Sequence, residues 1–364
     1  MAKAPTKKAE SWPFFDRIVA DAAPGDVHSN PWTVGQDGQV RFEPDYETLA
    51  RLLGVPLHLK AGTQSGVPAL ALDVWLSYEL RRAGFRPDQV WPRPTHPRIL
   101  PASVPALLKS LPNKLREDVA TRVDKSASIP NVTMASANIL GKNYQKQVDV
   151  IITDWWTGPE LLVSTKRMDS SYGKNAPNRV EEAYGDAKNL RLRHPMAALG
   201  LVFGLRSDIL EKEQATADWL FDQLAKLGRE DDAYHATCVV LMEYSGAATS
   251  PEEQAEPPAS DMLGAGPDPE GGEEEDDQAD APAAIPKATI DQVIENLPAV
   301  TIRKDRIPAE LAPGRFLAAI VGHVLGITPI NLHEEARRRR ANPSGEPTKD
   351  GEVLSRAFRQ TLMT

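Results

Sequence analysis

The chain has 364 residues, of which 41% are hydrophobic, and a formal net charge of −9. No apolar run is long enough to span a bilayer, and the N-terminus MAKAPTKKAESWPFF lacks the apolar core of a secretory signal. The single cysteine, Cys238, excludes a disulfide framework or a thiolate zinc site within one chain, so the expectation is a cytoplasmic protein with no membrane partner.

The acidic balance is local. Twelve Asp and Glu, and no Lys or Arg, fall between Glu252 and Asp280; the rest of the chain holds 39 acids against 42 bases and can meet a phosphate backbone.

Residues 1–98 read as a helical region. After a polar tail come DYETLARLLG and ALALDVWLSYELRRAGF, two helical patterns that each run into a Gly suited to a helix C-terminus. The stretch WPRPTHPRILPASVP (91–105) is too rich in proline for a helix and ends the region.

Residues 99–246 carry an α/β pattern. VPALLKSLPNKLREDVATRV predicts a helix broken at Pro112, and NVTMASANIL, KQVDVIITDW and ELLVSTKRM predict three strands, the last two joined by a WTGP turn. NRVEEAYGDAKNLRLR predicts a helix starting near Asn178, with Val180, Ala183, Tyr184, Ala187 and Leu190 on one face. MAALGLVFGLR and ATCVVLMEY are buried strands separated by the amphipathic SDILEKEQATADWLFDQLAKLG. The apolar neighbours of Cys238 make it a core thiol.

Residues 247–285 are acidic and rich in Pro and Gly, the composition of a disordered insert or linker. Residues 286–364 return to helical patterns, ATIDQVIENLP and PGRFLAAIVGHVLGI, followed by a basic tail with EEARRRRA and EVLSRAFRQTL.

The stretch KQVDVIITDWWTGPELLVSTKRM (146–168) is where chemistry concentrates. Alternate strand residues share a face, so Ser164 and Lys166 point the same way, with Asp149 roughly level on the neighbouring strand. One carboxylate and one lysine make half of a metal-assisted phosphodiesterase, because a hard divalent cation needs further carboxylate oxygens. The following helix offers Glu181 and Glu182. Asn178-x-x-Glu181 also fits a capping box, and Asp149 could be a strand-end acid satisfied by backbone.

At these residues the chain resembles the PD-(D/E)XK nuclease superfamily, whose core is α-β-β-β-α-β, the order read here over 104–206. It looks most like type II restriction endonucleases that carry Ser-x-Lys on the strand and a glutamate moved to the next helix, about a dozen residues after the Lys. Here 14 residues separate Lys166 from Glu181, so spacing favours Glu181 over Glu182. Asp149 follows Val148 rather than Pro and lies closer to Ser164 than in that subset. The resemblance implies a restriction-endonuclease-like core with flanking helical regions, and a homodimer cutting double-stranded DNA. Asp149 and Glu181 or Glu182 would hold Mg2+, Lys166 would place the water, and Ser164 would fill the vacated acid position.

Other positions have two readings. Arg167, Asp169, Tyr172 and Lys174 could read bases or form a polar loop. Glu117 and Asp118 could add an acid from the preceding helix or face solvent, and Arg337 to Arg340 could grip phosphates. Trp155 and Trp156 suit a packed turn better than base stacking, and His194, His235 and His323 have no zinc-ligand spacing. The rival functional reading is a catalytically inactive nuclease fold that binds DNA or a partner.

Overall fold

The computed structural model describes residues 5–125, 129, 132, 136–245 and 282–343. The acidic insert, apart from its last four residues, and the basic tail beyond Pro343 lie outside the described residues.

Helix α1 (Lys7–Ala22) starts where the Thr6 hydroxyl accepts the Ala9 N–H at 3.1 Å. A hairpin of β1 (Trp32–Val34) and β2 (Val40–Phe42) leads to α2 (Tyr46–His58), capped by Asp45, which accepts the Thr48 N–H at 2.9 Å. Helix α3 (Val67–Arg82) is buried around nearly its whole circumference, which makes it an interior helix whose polar side chains need partners. Then come β3 (Val90–Trp91), α4 (Ser103–Ser110), α5 (Asn113–Lys125) and a separate hairpin of β4 (Asn138–Leu140) and β5 (Gln145–Gln147).

The hairpin β6 (Val150–Asp154) and β7 (Gly158–Met168) is followed by α6 (Tyr172–Arg193) and β8 (Ala198–Arg206). The short α7 (Ile209–Lys212), α8 (Gln214–Leu227) and β9 (Ala236–Glu243) complete this run. Past residue 282 lie α9 (Lys287–Glu295), β10 (Thr301–Ile302), α10 (Pro313–Ile327) and α11 (Glu334–Ala341).

Six strands form one mixed sheet in the order β10-β9-β8-β7-β6-β3. Strands β7, β8 and β9 are parallel, with α6 and then α7–α8 as crossovers; the other neighbours pair antiparallel. Both faces are covered, which explains the unbroken Val, Ile and Leu runs in the central strands. Val150, Leu161, Val163, Val202 and Val240 face a core built with α1, α2, α3 and α10. Ile151, Leu162, Leu201, Phe203 and Val239 face α6 and α8. The edge strands β3 and β10 are short, with two residues each. No described helix is long and apolar enough to cross a membrane.

The structure supports the α/β class and corrects where its first elements lie. The stretch expected to supply the first helix and strand (104–140) forms α4, α5 and the first strand of a detached hairpin. The helix packed on β6 and β7 is α3, and the strand beside β6 is β3. The sequence pattern hid this because α5 has a polar, mostly exposed surface, whereas α3 is buried all round, polar residues such as Asp73 and Glu79 included, and shows no single buried face.

Helix α6 starts six residues before the expected Asn178, with Pro177 inside it. A proline there removes one intrahelical bond, but the first turn is fastened by tertiary contacts. Tyr172 is buried with its hydroxyl between Asp169 O and Asp208, and the Gly173 N–H donates to Glu213 Oε2 at 2.7 Å. A remote glutamate thus caps α6, and Asn178 and Glu181 form no capping box.

Candidate functional site

Asp149 precedes β6 by one residue. Continuing the Val150–Val163 pairing by one step sets Asp149 beside Ser164, and the Asp149 N–H donates to Val163 O at 3.2 Å. The next ladder bond is replaced by a side chain: the Thr165 N–H donates to Asp149 Oδ2 at 2.7 Å. One carboxylate oxygen therefore ends the strand ladder, as expected of a strand-end acid. Asp149 is only partly buried.

On the other side of β7, the Thr165 hydroxyl donates to Asp73 Oδ1 at 2.6 Å. Asp73 lies on α3 and is buried. Burial pushes its carboxyl well above the usual carboxylate range, and the nearby Asp149 charge adds to this. The Asp149 carboxyl is raised as well, by burial first. The Thr165 N–H, Lys166 and Lys146 oppose that shift, and Asp186 reinforces it.

Lys166 projects from β7 toward α6, where its Nζ lies 3.3 Å from Glu182 Oε2. Arg179 reaches the same oxygen at 3.1 Å. Glu181 is exposed and takes no part in these contacts, so the geometry turns the spacing-based preference toward Glu182. One turn further, Asp186 is buried and meets Lys146 Nζ at 2.7 Å. Ser164 is buried in β7 between Asp149 and the α6 face. The structure thus gathers Asp149, Ser164, Lys166 and Glu182 and adds Lys146, Asp186 and Asp73. Asp186 was open to detection as the residue one turn after Glu182; Asp73, on a strand-remote helix, carried no spacing signal.

The loop candidates fare differently. Arg167 and Asp169 form a buried ion pair at 3.0 Å, and Arg167 also donates to Pro68 O at 3.2 Å, so both are committed inside the fold. Tyr172 is buried, and Lys174 is exposed in the first turn of α6. Glu117 and Asp118 are exposed on α5. Arg337 donates to Thr328 O and Leu332 O and Arg339 to Arg82 O, so these two fasten α11 to the fold, whereas Arg338 pairs with Glu335 within α11 itself. Trp155 and Trp156 stand in solvent at 96% and 69% exposure, against the expectation of a packed turn. His235 and His323 meet with ring centroids 3.8 Å apart and their planes tilted by 44°.

Among the described residues no three acidic, histidine or cysteine side chains converge on a single ion-sized point. Asp149 and the α6 acids Glu182 and Asp186 are the carboxylates gathered here, and carboxylate oxygens are the donors that a hard divalent cation takes. No family model, curated protein or solved structure matches the chain, so the site is interpreted from its own chemistry.

Proposed function

We propose that this chain is a metal-dependent endonuclease of restriction type, with a PD-(D/E)XK-like core formed by α3, β3, β6, β7, α6 and β8. The observation that carries the reading is the meeting of Lys166 with Glu182 at 3.3 Å beside Asp149. This puts an acid, a lysine and a helix-borne glutamate on one side of a β-hairpin. A magnesium ion held by Asp149 with Glu182 or Asp186 would lower the charge of the scissile phosphate and acidify a bound water.

The chain's own groups do the rest. Asp149 is fixed by Thr165, so one oxygen is oriented while the other remains for substrate or ion. Lys166 supplies an ammonium that can hold the attacking water or the developing phosphorane charge. Ser164 leaves room where a strand acid would crowd Asp149. Double-stranded DNA is the substrate and Lys174 an exposed cation available to its backbone. A homodimer would present two such sites to a palindrome, acting in the cytoplasm on incoming DNA.

A second reading is favoured by one feature: the two α6 acids gathered at the site already face internal cations, Glu182 with Lys166 and Asp186 with Lys146. A fold with its acids so neutralised could bind DNA or a partner without cutting. Incubation with supercoiled plasmid and Mg2+ separates the two. Nicking that disappears in Asp149→Asn supports the nuclease, and binding without nicking in the parent supports the binding protein.

A further inference from the structure

The β4–β5 hairpin stands apart from the main sheet, with strands of three residues each, and so short a hairpin is marginal alone. It is held by α6, chiefly through Asn189, a residue only 2% exposed. The Asn189 Oδ1 accepts the N–H groups of Asn143 (2.9 Å) and Tyr144 (3.3 Å), and its Nδ2 donates to Tyr144 O at 2.9 Å. The Asn189 carbonyl accepts the Lys142 N–H at 2.8 Å. Gly141 permits this approach, since a Cβ there would lie 2.1 Å from Asn189 Nδ2. At the outer strand His194 Nε2 lies 3.0 Å from Leu140 O.

This fastening delivers one charged group to the site. Lys146, on β5, meets Asp186 at 2.7 Å with side-chain exposures of 24% and 7%, and the Tyr144 hydroxyl faces the other Asp186 oxygen at 3.5 Å. Three residues later the chain reaches Asp149, which is within the electrostatic reach of both Lys146 and Asp186. Two like charges this close, on the rim of a covered sheet, repel unless a cation lies beside them. An exposed lysine pair would be a weak fastener; this one is sheltered, and its carboxylate partner adjoins the candidate catalytic acid.

We infer that Lys146 is a second positioning ammonium of the Asp149 site, brought there by a hairpin that Asn189 latches to α6. The inference rests on the nuclease reading for its catalytic consequence, though its structural part does not. Lys146 holds Asp186 in place beside the Asp149 site, leaving Lys166 to face the reacting phosphate. The charged groups around Asp149 are Lys146, Lys166, Asp186 and, through Thr165, Asp73.

The test uses the full chain and variants Lys146→Ala, Lys146→Arg, Asn189→Ala, the double variant Lys146→Ala/Asn189→Ala, and Asp149→Asn. Urea melts of Lys146→Ala, Asn189→Ala and the double variant give a readout that needs no cleavage: the latch predicts stability losses that do not add, and fully additive losses overturn the inference. In plasmid cleavage with Mg2+, Lys146→Ala should lower kcat by roughly 10- to 100-fold with KM within about threefold. Lys146→Arg should recover much of that loss. Asn189→Ala should resemble Lys146→Ala, and the double variant should be no worse than either, because both remove one function. Parent-like cutting by Lys146→Ala alongside a dead Asp149→Asn defeats the inference and spares the nuclease. Parent-like cutting by Asp149→Asn defeats the nuclease reading itself.

Discussion

Asp73 and Asp149 hold the same residue from two sides: one accepts the Thr165 hydroxyl at 2.6 Å and the other the Thr165 N–H at 2.7 Å. Their environments differ in a way that assigns roles. Asp73 is enclosed by α3 and the sheet, whereas Asp149 is partly open and adjoins Lys166 and Lys146. The enclosed acid is the better candidate for a neutral structural group, and the open one for a charged functional group.

The two asparagine variants should therefore diverge. Asp149→Asn keeps an oxygen for the Thr165 N–H and should fold normally, while cleavage falls by about 100-fold or more. Asp73→Asn replaces an acid whose folded pKa is raised, and such an acid favours the folded state at low pH and loses that contribution as pH rises through the folded value. Urea melts should show Asp73→Asn gaining on the parent as pH rises above the ordinary carboxylate range. If the gap stays constant over that rise, Asp73 does not titrate as its surroundings require.

Lys166 and Glu182 give a second pair of variants. Lys166→Ala should reduce cleavage by orders of magnitude with DNA affinity changed only a few-fold, and equal loss of both would make Lys166 a phosphate grip instead. Glu182→Gln removes the charge that meets Lys166 and should raise the Mg2+ concentration needed for half-maximal cleavage, whereas Glu181→Gln should leave it unchanged. The measurement is a metal titration of initial nicking rates. A Glu181→Gln defect with a silent Glu182→Gln would restore the preference that spacing alone suggested.

The central strands β6 to β9 were legible because stretches rich in Val, Ile and Leu, bounded by turn residues, leave little choice of element. Asp149, Ser164 and Lys166 were legible for the same reason: once two strands and a tight turn are set, register follows. What failed was local reasoning about non-local fastening. Asn178 and Pro177 gave a plausible helix start, but Glu213, 40 residues from Gly173, caps the real one. Arg167 and Asp169 looked like base readers or a polar loop, yet they neutralise each other inside the fold. Asp73 lies in a buried helix 92 residues before its partner Thr165, a separation at which no pattern in the chain connects them.

A further acid should dominate the pH profile of stability near neutrality. Glu79, on α3, is fully buried, accepts the Asp45 N–H at 2.7 Å and pairs with Arg82 at 2.7 Å. Burial outweighs Arg82 and pushes its carboxyl up to about 7. The folded state then binds this proton more tightly than the unfolded chain, so stability falls as pH rises from about 4.5 to about 7. The size of the effect is about 3 kcal/mol, from roughly 1.4 kcal/mol per pH unit. Glu79→Gln cannot titrate and should flatten this slope, even where the loss of its bond to Arg82 lowers stability overall. A parent protein whose urea midpoint is constant from pH 5 to pH 7.5 would show that Arg82 keeps Glu79 charged throughout.

The last prediction concerns the contact that seats α11. Gly84 follows α3 at φ +106, a conformation that side chains rarely adopt. A Cβ at this position would lie 2.7 Å from Ala336 N and 2.8 Å from Ala336 Cα, which are backbone atoms and cannot swing aside. Around it, Arg339 donates to Arg82 O at 2.7 Å and to His28 O at 3.1 Å, and His333 pairs with Glu160 at 2.6 Å in a buried setting. Gly84→Ala must therefore bear both a strained backbone and displacement of α11, a combined loss of about 2 to 4 kcal/mol. Arg339→Ala removes the same fastening without the clash and should cost less, about 1 to 2 kcal/mol. Since α11 lies at the far end of β7 from Lys166, folded samples of either variant should keep parent-like cleavage. A Gly84→Ala protein that melts with the parent would mean that α11 is not seated on Gly84 as described. If folded Arg339→Ala protein lost cleavage, α11 would have to reach the site by a route that none of these contacts provides.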